Sequence, residues 1–154
     1  MARMQREEFI ATVSSKLKLI RTEYGITQEV MSEMLGISKK TLVETEKGRR
    51  ELSWTETIAL ATVFDKSEVL QGIAGGDSVD IIHALAFEER NVKYPSTMGG
   101  KVWWRTVEER EGLKVQQNVV TNHYRLLDKE DHRLISSFKR EEIDEYADSL
   151  RRSK

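Results

Sequence analysis

The residues in this chain best suited to chemistry are Ser38, Lys39, Lys40 and Thr41, with Lys47, Arg49 and Arg50 following closely. Their chemistry is hydrogen bonding and charge neutralisation. Lysine on the first turn of a helix can donate to guanine acceptors or to a phosphate, and hydroxyls can serve either partner. Val43 and Glu44 lie further along the same exposed face. Glu44 could accept from a cytosine amino group, and a plain solvated residue is the equal alternative. Gln28 stands at the start of the preceding helix, where free N–H groups and the helix dipole favour a phosphate. Lys47, Arg49 and Arg50 suit phosphates by position, since a basic cluster elsewhere is usually just a solvated face.

Residues 25–50 supply the elements that must position these groups. Thr27 caps one short helix and Gly36 ends it; Ser38 caps the next after a tight Gly-Ile-Ser turn. Such a pair can lay one helix end-on into a major groove while the other crosses the backbone. Upstream, Phe9, Val13, Leu17, Ile20 and Tyr24 recur at helical spacing, predicting one long first helix closed by Gly25. Val30, Met31, Met34 and Leu35 are expected inward from the second helix, and Leu42 from the third. Ser53 opens a fourth helix with Ile58, Ala61 and Phe64 buried, and Ser67 a fifth with Val69, Leu70 and Ile73. The expectation is a mainly α five-helix bundle over residues 1–76.

Residues 77–100 read as a helix capped by Asp77, with Ile81, Ile82, Leu85 and Phe87, then a linker holding Pro95 and Gly99-Gly100. Residues 101–154 read as a small α+β region with an antiparallel hairpin or meander. One strand covers VWWRTV, a second runs from LKVQQNVV on toward HYRLL, and a third covers HRLISSF. Turns fall near Glu111-Gly112 and at Asp128-Lys129-Glu130-Asp131. A helix over residues 139–151 carries Ile143, Tyr146 and Leu150 as its apolar stripe. Trp103 and Trp104 must face opposite sides of a strand; burial in a core is the favoured reading for either, with an interface as the other. Glu108, Glu109 and Glu111, and the run from Glu141 to Glu145, read as solvated acidic faces.

Several function classes are excluded or disfavoured. The chain has 154 residues, no cysteine and a formal net charge of −1, which removes disulfide frameworks, thiolate zinc sites and cysteine nucleophiles. His83, His123 and His132 lack paired ligand spacing, so no metal is expected. No phosphate loop, GxSxG or carboxylate pair is present, so neither an enzyme nor a cofactor is expected. No segment reaches membrane-spanning length, and a cytoplasmic location is expected.

One family gathers these residues. Arg21, Thr27-Gln28-Glu29, Leu35-Gly36-Ile37-Ser38, Thr41-Leu42, Glu46, Gly48 and Arg49 give residues 17–64 a pattern that resembles the Cro/repressor-type, or Xre-like, helix-turn-helix regulators. The resemblance implies a repressor-like bundle that binds double-stranded DNA, with Gln28 bracing the backbone or touching the first bases. It also implies an ion pair between Arg21 and Glu46, tying the first helix to the end of the recognition helix. A repressor acting as a homodimer on a palindromic operator is the leading expectation, with residues 77–154 serving dimerisation, a protein partner or a small effector. An antitoxin-like or adaptor protein gripping a partner through its C-terminal region is the alternative. The chain departs from the pattern at Ser32, where a small alanine is usual, and at Thr45, where a larger apolar residue is usual. Thr45 implies packing beneath the recognition helix that is either loose or compensated elsewhere.

Overall fold

A computed structural model of the chain describes residues 2–96 and 102–153. Gly99-Gly100, read above as linker, and Lys101, read as the start of the α+β region, lie outside the described residues. Compact packing divides the chain into Met1–Tyr94 and Pro95–Lys154.

The first unit holds α1 (Arg6–Ser15), α2 (Leu17–Glu23), α3 (Gln28–Leu35), α4 (Lys39–Glu46), α5 (Trp54–Val63), α6 (Glu68–Ala74) and α7 (Ser78–Phe87). The single long first helix expected from sequence is two helices, broken at Lys16 with φ −105° and ψ 5°. The apolar stripe survives the break, because Phe9, Val13, Leu17 and Ile20 are all fully buried. Tyr24, placed in that stripe, is instead more than a third exposed, its ring edge-on to Phe64 with centroids 4.8 Å apart. Each predicted cap is made: Thr27, Ser38, Ser53 and Ser67 accept from the N–H three residues on, and Asp77 from Val79. Ser53 and Glu56 complete a reciprocal capping box.

Met31, Leu42, Leu52, Leu60, Ala61, Phe64 and Leu70 join the α1–α2 stripe in one core. Of the four α3 residues expected inward, Met31 is buried and Leu35 partly so, while Val30 and Met34 face outward. An eight-residue helix turns only one row fully inward, and the 31/35 row takes that place. The sequence ends the bundle at residue 76. In the structure α7 packs on the same core through Ile82 and Leu85, and the buried Ser78 hydroxyl donates to the Ala61 carbonyl at 2.6 Å. A second tertiary tie comes from Glu23, whose carboxylate accepts from the N–H groups of Glu68 (2.9 Å) and Val69 (3.2 Å) at the start of α6.

The second unit is a four-stranded antiparallel meander, β1 (Trp104–Arg110), β2 (Leu113–Asn118), β3 (Tyr124–Leu127) and β4 (Arg133–Ser137), in that spatial order, with α8 (Arg140–Arg152). The long middle strand expected from sequence is two strands. Asn118 breaks it, its side-chain oxygen accepting from Val120 and Thr121 N–H, and Asn122 adopts a left-handed φ of 65°. One face buries Val115 and Leu126 under Ile143 and Ala147 of α8. Tyr146, assigned to that stripe, is exposed, and Ala147 takes its place. Strand alternation turns Thr106, Gln116, Arg125 and Ser136, which pair in register across all four strands, to the opposite face. Neither tryptophan belongs to the core: Trp103 is about half exposed, and Trp104 lies under Arg125 on that open face. Glu108 and Glu111, read as plainly solvated, reach Arg140 (3.1 Å) and Arg151 (3.4 Å) of α8.

Candidate nucleic-acid interface

Gly36 makes the turn between α3 and α4. Its φ of 72° is a left-handed conformation that costs glycine little, and Ile37 N–H returns to the Ser32 carbonyl at 3.0 Å. Extended backbone at Ser38 then starts α4; its Oγ accepts from Thr41 N–H (3.0 Å) and donates to Thr41 Oγ1 (2.8 Å). The cap thus holds both hydroxyls against each other. Lys39 and Lys40 follow on the open side of the first turn, exposed, with no side-chain hydrogen bond or ion pair among the described residues. Leu42 drives into the core on the opposite side of the helix.

The inner side of α4 is braced. Arg21 meets the Glu46 carboxylate in a two-pronged contact, Nε to Oε2 at 2.7 Å and Nη2 to Oε1 at 3.0 Å, and its Nη1 reaches the Ile26 carbonyl at 3.0 Å. Gln28 Nε2 donates to Glu46 Oε1 at 3.2 Å, so the residue at the head of α3 is held by the tail of α4. Burial pushes the Glu46 carboxyl up, but the hydrogen bonds from Arg21 and Gln28 outweigh it and hold the group below its ordinary value. The hydrogen bond to Glu46 in turn raises Arg21 above its ordinary value.

Thr45 is buried, and its hydroxyl carries the compensation. It donates to the Thr41 carbonyl (2.8 Å) and accepts from Arg50 Nη1 (3.1 Å). A cleft of about 190 Å³, lined by Ala11, Ser14, Thr45, Gly48, Arg50 and others, lies beside it. Ser32, the other departure, is buried with its hydroxyl on the Glu29 carbonyl at 2.7 Å.

The basic residues after α4 divide by environment. Lys47 and Arg49 are exposed; Arg49 Nη1 sits 3.2 Å from Glu44, which engages the acid that could have met a cytosine. Arg50 is half-buried between Thr45 and the Glu56 carboxylate, 3.0 Å away. Val43 is half-buried on α4. Sequence reasoning missed two supports: Leu52, buried in the extended segment after α4, and Ser14, whose hydroxyl accepts Leu52 N–H at 2.9 Å. An apolar residue immediately before a capping serine was the available signal. The structure therefore gathers Gln28, Arg21 and Glu46 into one network, sets Lys39, Lys40, Lys47 and Arg49 on exposed surface, and commits Arg50 to the fold.

Among the described residues no helix is long and apolar enough to cross a membrane, and no group of acidic or histidine side chains could hold a metal ion. Comparison with known proteins adds sequence likeness to this geometry. Residues 17–70 match the family model described as Helix-turn-helix. A protein of Thermococcus kodakarensis named "Putative HTH-type transcriptional regulatory protein" is 28% identical over 97 residues. The match takes in 63% of this chain and 28% of that relative, so this chain spans under a third of its length. No solved structure matches the chain.

Proposed function

We propose, from the match of residues 17–70 to the Helix-turn-helix family model, that the chain is a sequence-specific double-stranded DNA-binding transcriptional regulator. The observation that carries the reading is the two-sided character of α4. Its inner side is fixed by Leu42, the Thr45 hydroxyl and the Arg21–Glu46–Gln28 network, while its first turn presents Lys39 and Lys40 to solvent without partners. A helix held this rigidly, with unpaired positive charge on its first turn and its glutamates engaged by Arg49 and Arg21, suits insertion into a major groove. Gln28 at the head of α3, with Lys47 and Arg49 beyond α4, supplies phosphate contacts.

One such helix reads only a few base pairs, so the reading extends to a homodimer that binds a pseudo-palindrome, with repression as the expected outcome of operator occupancy. Residues 77–154 then serve pairing or sensing. Selection of bound duplexes from a random pool tests this. An enriched inverted repeat is the expected result; no enriched sequence at moderate salt sinks the proposal, and a single enriched half-site sinks the dimer.

A further inference from the structure

The open face of the second unit's sheet carries two adjoining rows of side chains. Trp104 pairs with Asn118, and His123 and Phe138, which flank β3 and β4 one step beyond the Tyr124–Ser137 pair, continue that row. The three rings form a ledge: Trp104 and His123 meet edge-on at 4.9 Å, and His123 and Phe138 lie 5.8 Å apart, tilted by 58°. Phe138 is 74% exposed although it lies against a hollow of about 350 Å³ lined by Thr121, His123, Ser136, Ser137 and Phe138 itself. That volume is at the small end of the ~300–1,000 Å³ typical of small-molecule sites.

The next row is Thr106, Gln116, Arg125 and Ser136. Arg125 lies flat over Trp104, 3.8 Å from its ring centre, and its Nε and Nη2 both rest on Gln116 Oε1 at 3.0 and 2.8 Å. Gln116 is held in turn by donating to Thr106 at 3.2 Å. The guanidinium is thus pre-positioned, yet its acceptor is a neutral amide. Among the described residues no carboxylate lies within ion-pairing distance of it, and Nη1 makes no hydrogen bond. Burial pulls Arg125 below its ordinary value, with Asp131 opposing at longer range, as expected of a cation short of compensation. Exposed aromatic surface beside an uncompensated, oriented guanidinium is complementary to a flat apolar ring bearing a negative group.

We propose that this face, between the Trp104–His123–Phe138 ledge and Arg125, binds a small planar aromatic carboxylate. The ring stacks in the hollow against Phe138 and His123, and the carboxylate reaches the Arg125 guanidinium one row away. Two residues along a strand span about 6.7 Å, which a ring carrying a carboxylate on a short arm can bridge. The site does not depend on the DNA-binding reading.

Isothermal titration of the full chain with indole-3-acetate, in the absence of DNA, tests it, beside indole and cyclohexanecarboxylate. The expected result is saturable binding at one site per chain, weakened about tenfold when either the charge or the aromatic ring is missing from the probe. Phe138→Ala, at an exposed position that leaves the fold intact by circular dichroism, is expected to weaken indole-3-acetate about tenfold. Arg125→Lys, which keeps the charge but loses the planar fork, is expected to weaken it severalfold and leave indole unchanged. Absence of saturation into the millimolar range, or unchanged binding by Phe138→Ala, overturns the site. Equal affinity for indole and indole-3-acetate overturns the carboxylate. Because no DNA is present, any of these failures leaves the operator selection standing.

Discussion

Replacing Glu46 by alanine should unfold rather than respecify the first unit. The substitution strips Arg21 of both prongs at 2.7 and 3.0 Å and leaves it only the Ile26 carbonyl, while Gln28 loses its acceptor. Removing one partner of a buried pair costs about 3–5 kcal/mol. Here the Arg21 side chain is 16% exposed against 4% for Glu46, so water can partly resolvate the orphaned guanidinium and the low end, about 3 kcal/mol, applies. For a unit of this size each kcal/mol moves the midpoint by roughly 4–8 °C, giving a loss on the order of 12–24 °C. Thermal unfolding followed by far-ultraviolet circular dichroism reads this directly. A double-mutant cycle of Arg21→Met and Glu46→Gln separates the coupling from burial effects and should return on the order of 2 kcal/mol. Coupling near zero, or an unchanged midpoint with altered base preference, would refute the assignment of Glu46 as a brace.

Arg49→Ala should weaken binding across all duplexes and flatten the salt dependence by about one phosphate's slope, whereas Lys40→Ala should relax preference at one base position; a titration series over salt with matched and mismatched duplexes distinguishes them. Thr45→Val keeps the shape but deletes the hydroxyl that bridges the Thr41 carbonyl and Arg50, so urea denaturation should show a loss of about 1 kcal/mol, and a gain would show that the hydroxyl is not a tie. Acid should weaken the first unit through Glu46 and Glu56, both held below their ordinary 4.5 despite burial, by hydrogen bonds from Arg21 and Gln28 and from Ser53 and Arg50 respectively. A carboxylate whose folded value is depressed contributes fully above its unfolded value and loses that contribution as pH falls through the folded one. Urea midpoints should therefore hold from neutral pH to about 5 and fall below that, and Glu46→Gln should flatten the decline.

What the sequence made legible was local chemistry. Thr27, Ser38, Ser53, Ser67 and Asp77 each announce a helix start because the capping contact spans two or three residues and needs no distant partner. The break at Lys16 was invisible, since it shifts the backbone without moving the apolar period across Val13 and Leu17. Val30 and Met34 read as core because periodicity finds an apolar row but cannot rank it against the neighbouring row of Met31 and Leu35. Val119 and Val120 disguised a turn whose signal was Asn118 and Asn122 on either side. For the candidate site, position along α4 was readable, but the division of labour among the basic residues was not. Arg50 looks like Arg49 in the sequence, and only Glu56 and Thr45, brought in by the fold, bind it to the interior.

The separation between the braced and the free sides of α4 has an evolutionary consequence. Lys39 and Lys40 hold nothing in the fold, whereas Glu46, Leu42 and Thr45 hold much of it. On the proposed DNA-binding reading, mutation at the free end can therefore drift toward new operators without drawing on the stability that every intermediate must retain. Such a helix is open to respecification, by selection or by design, through two adjacent codons.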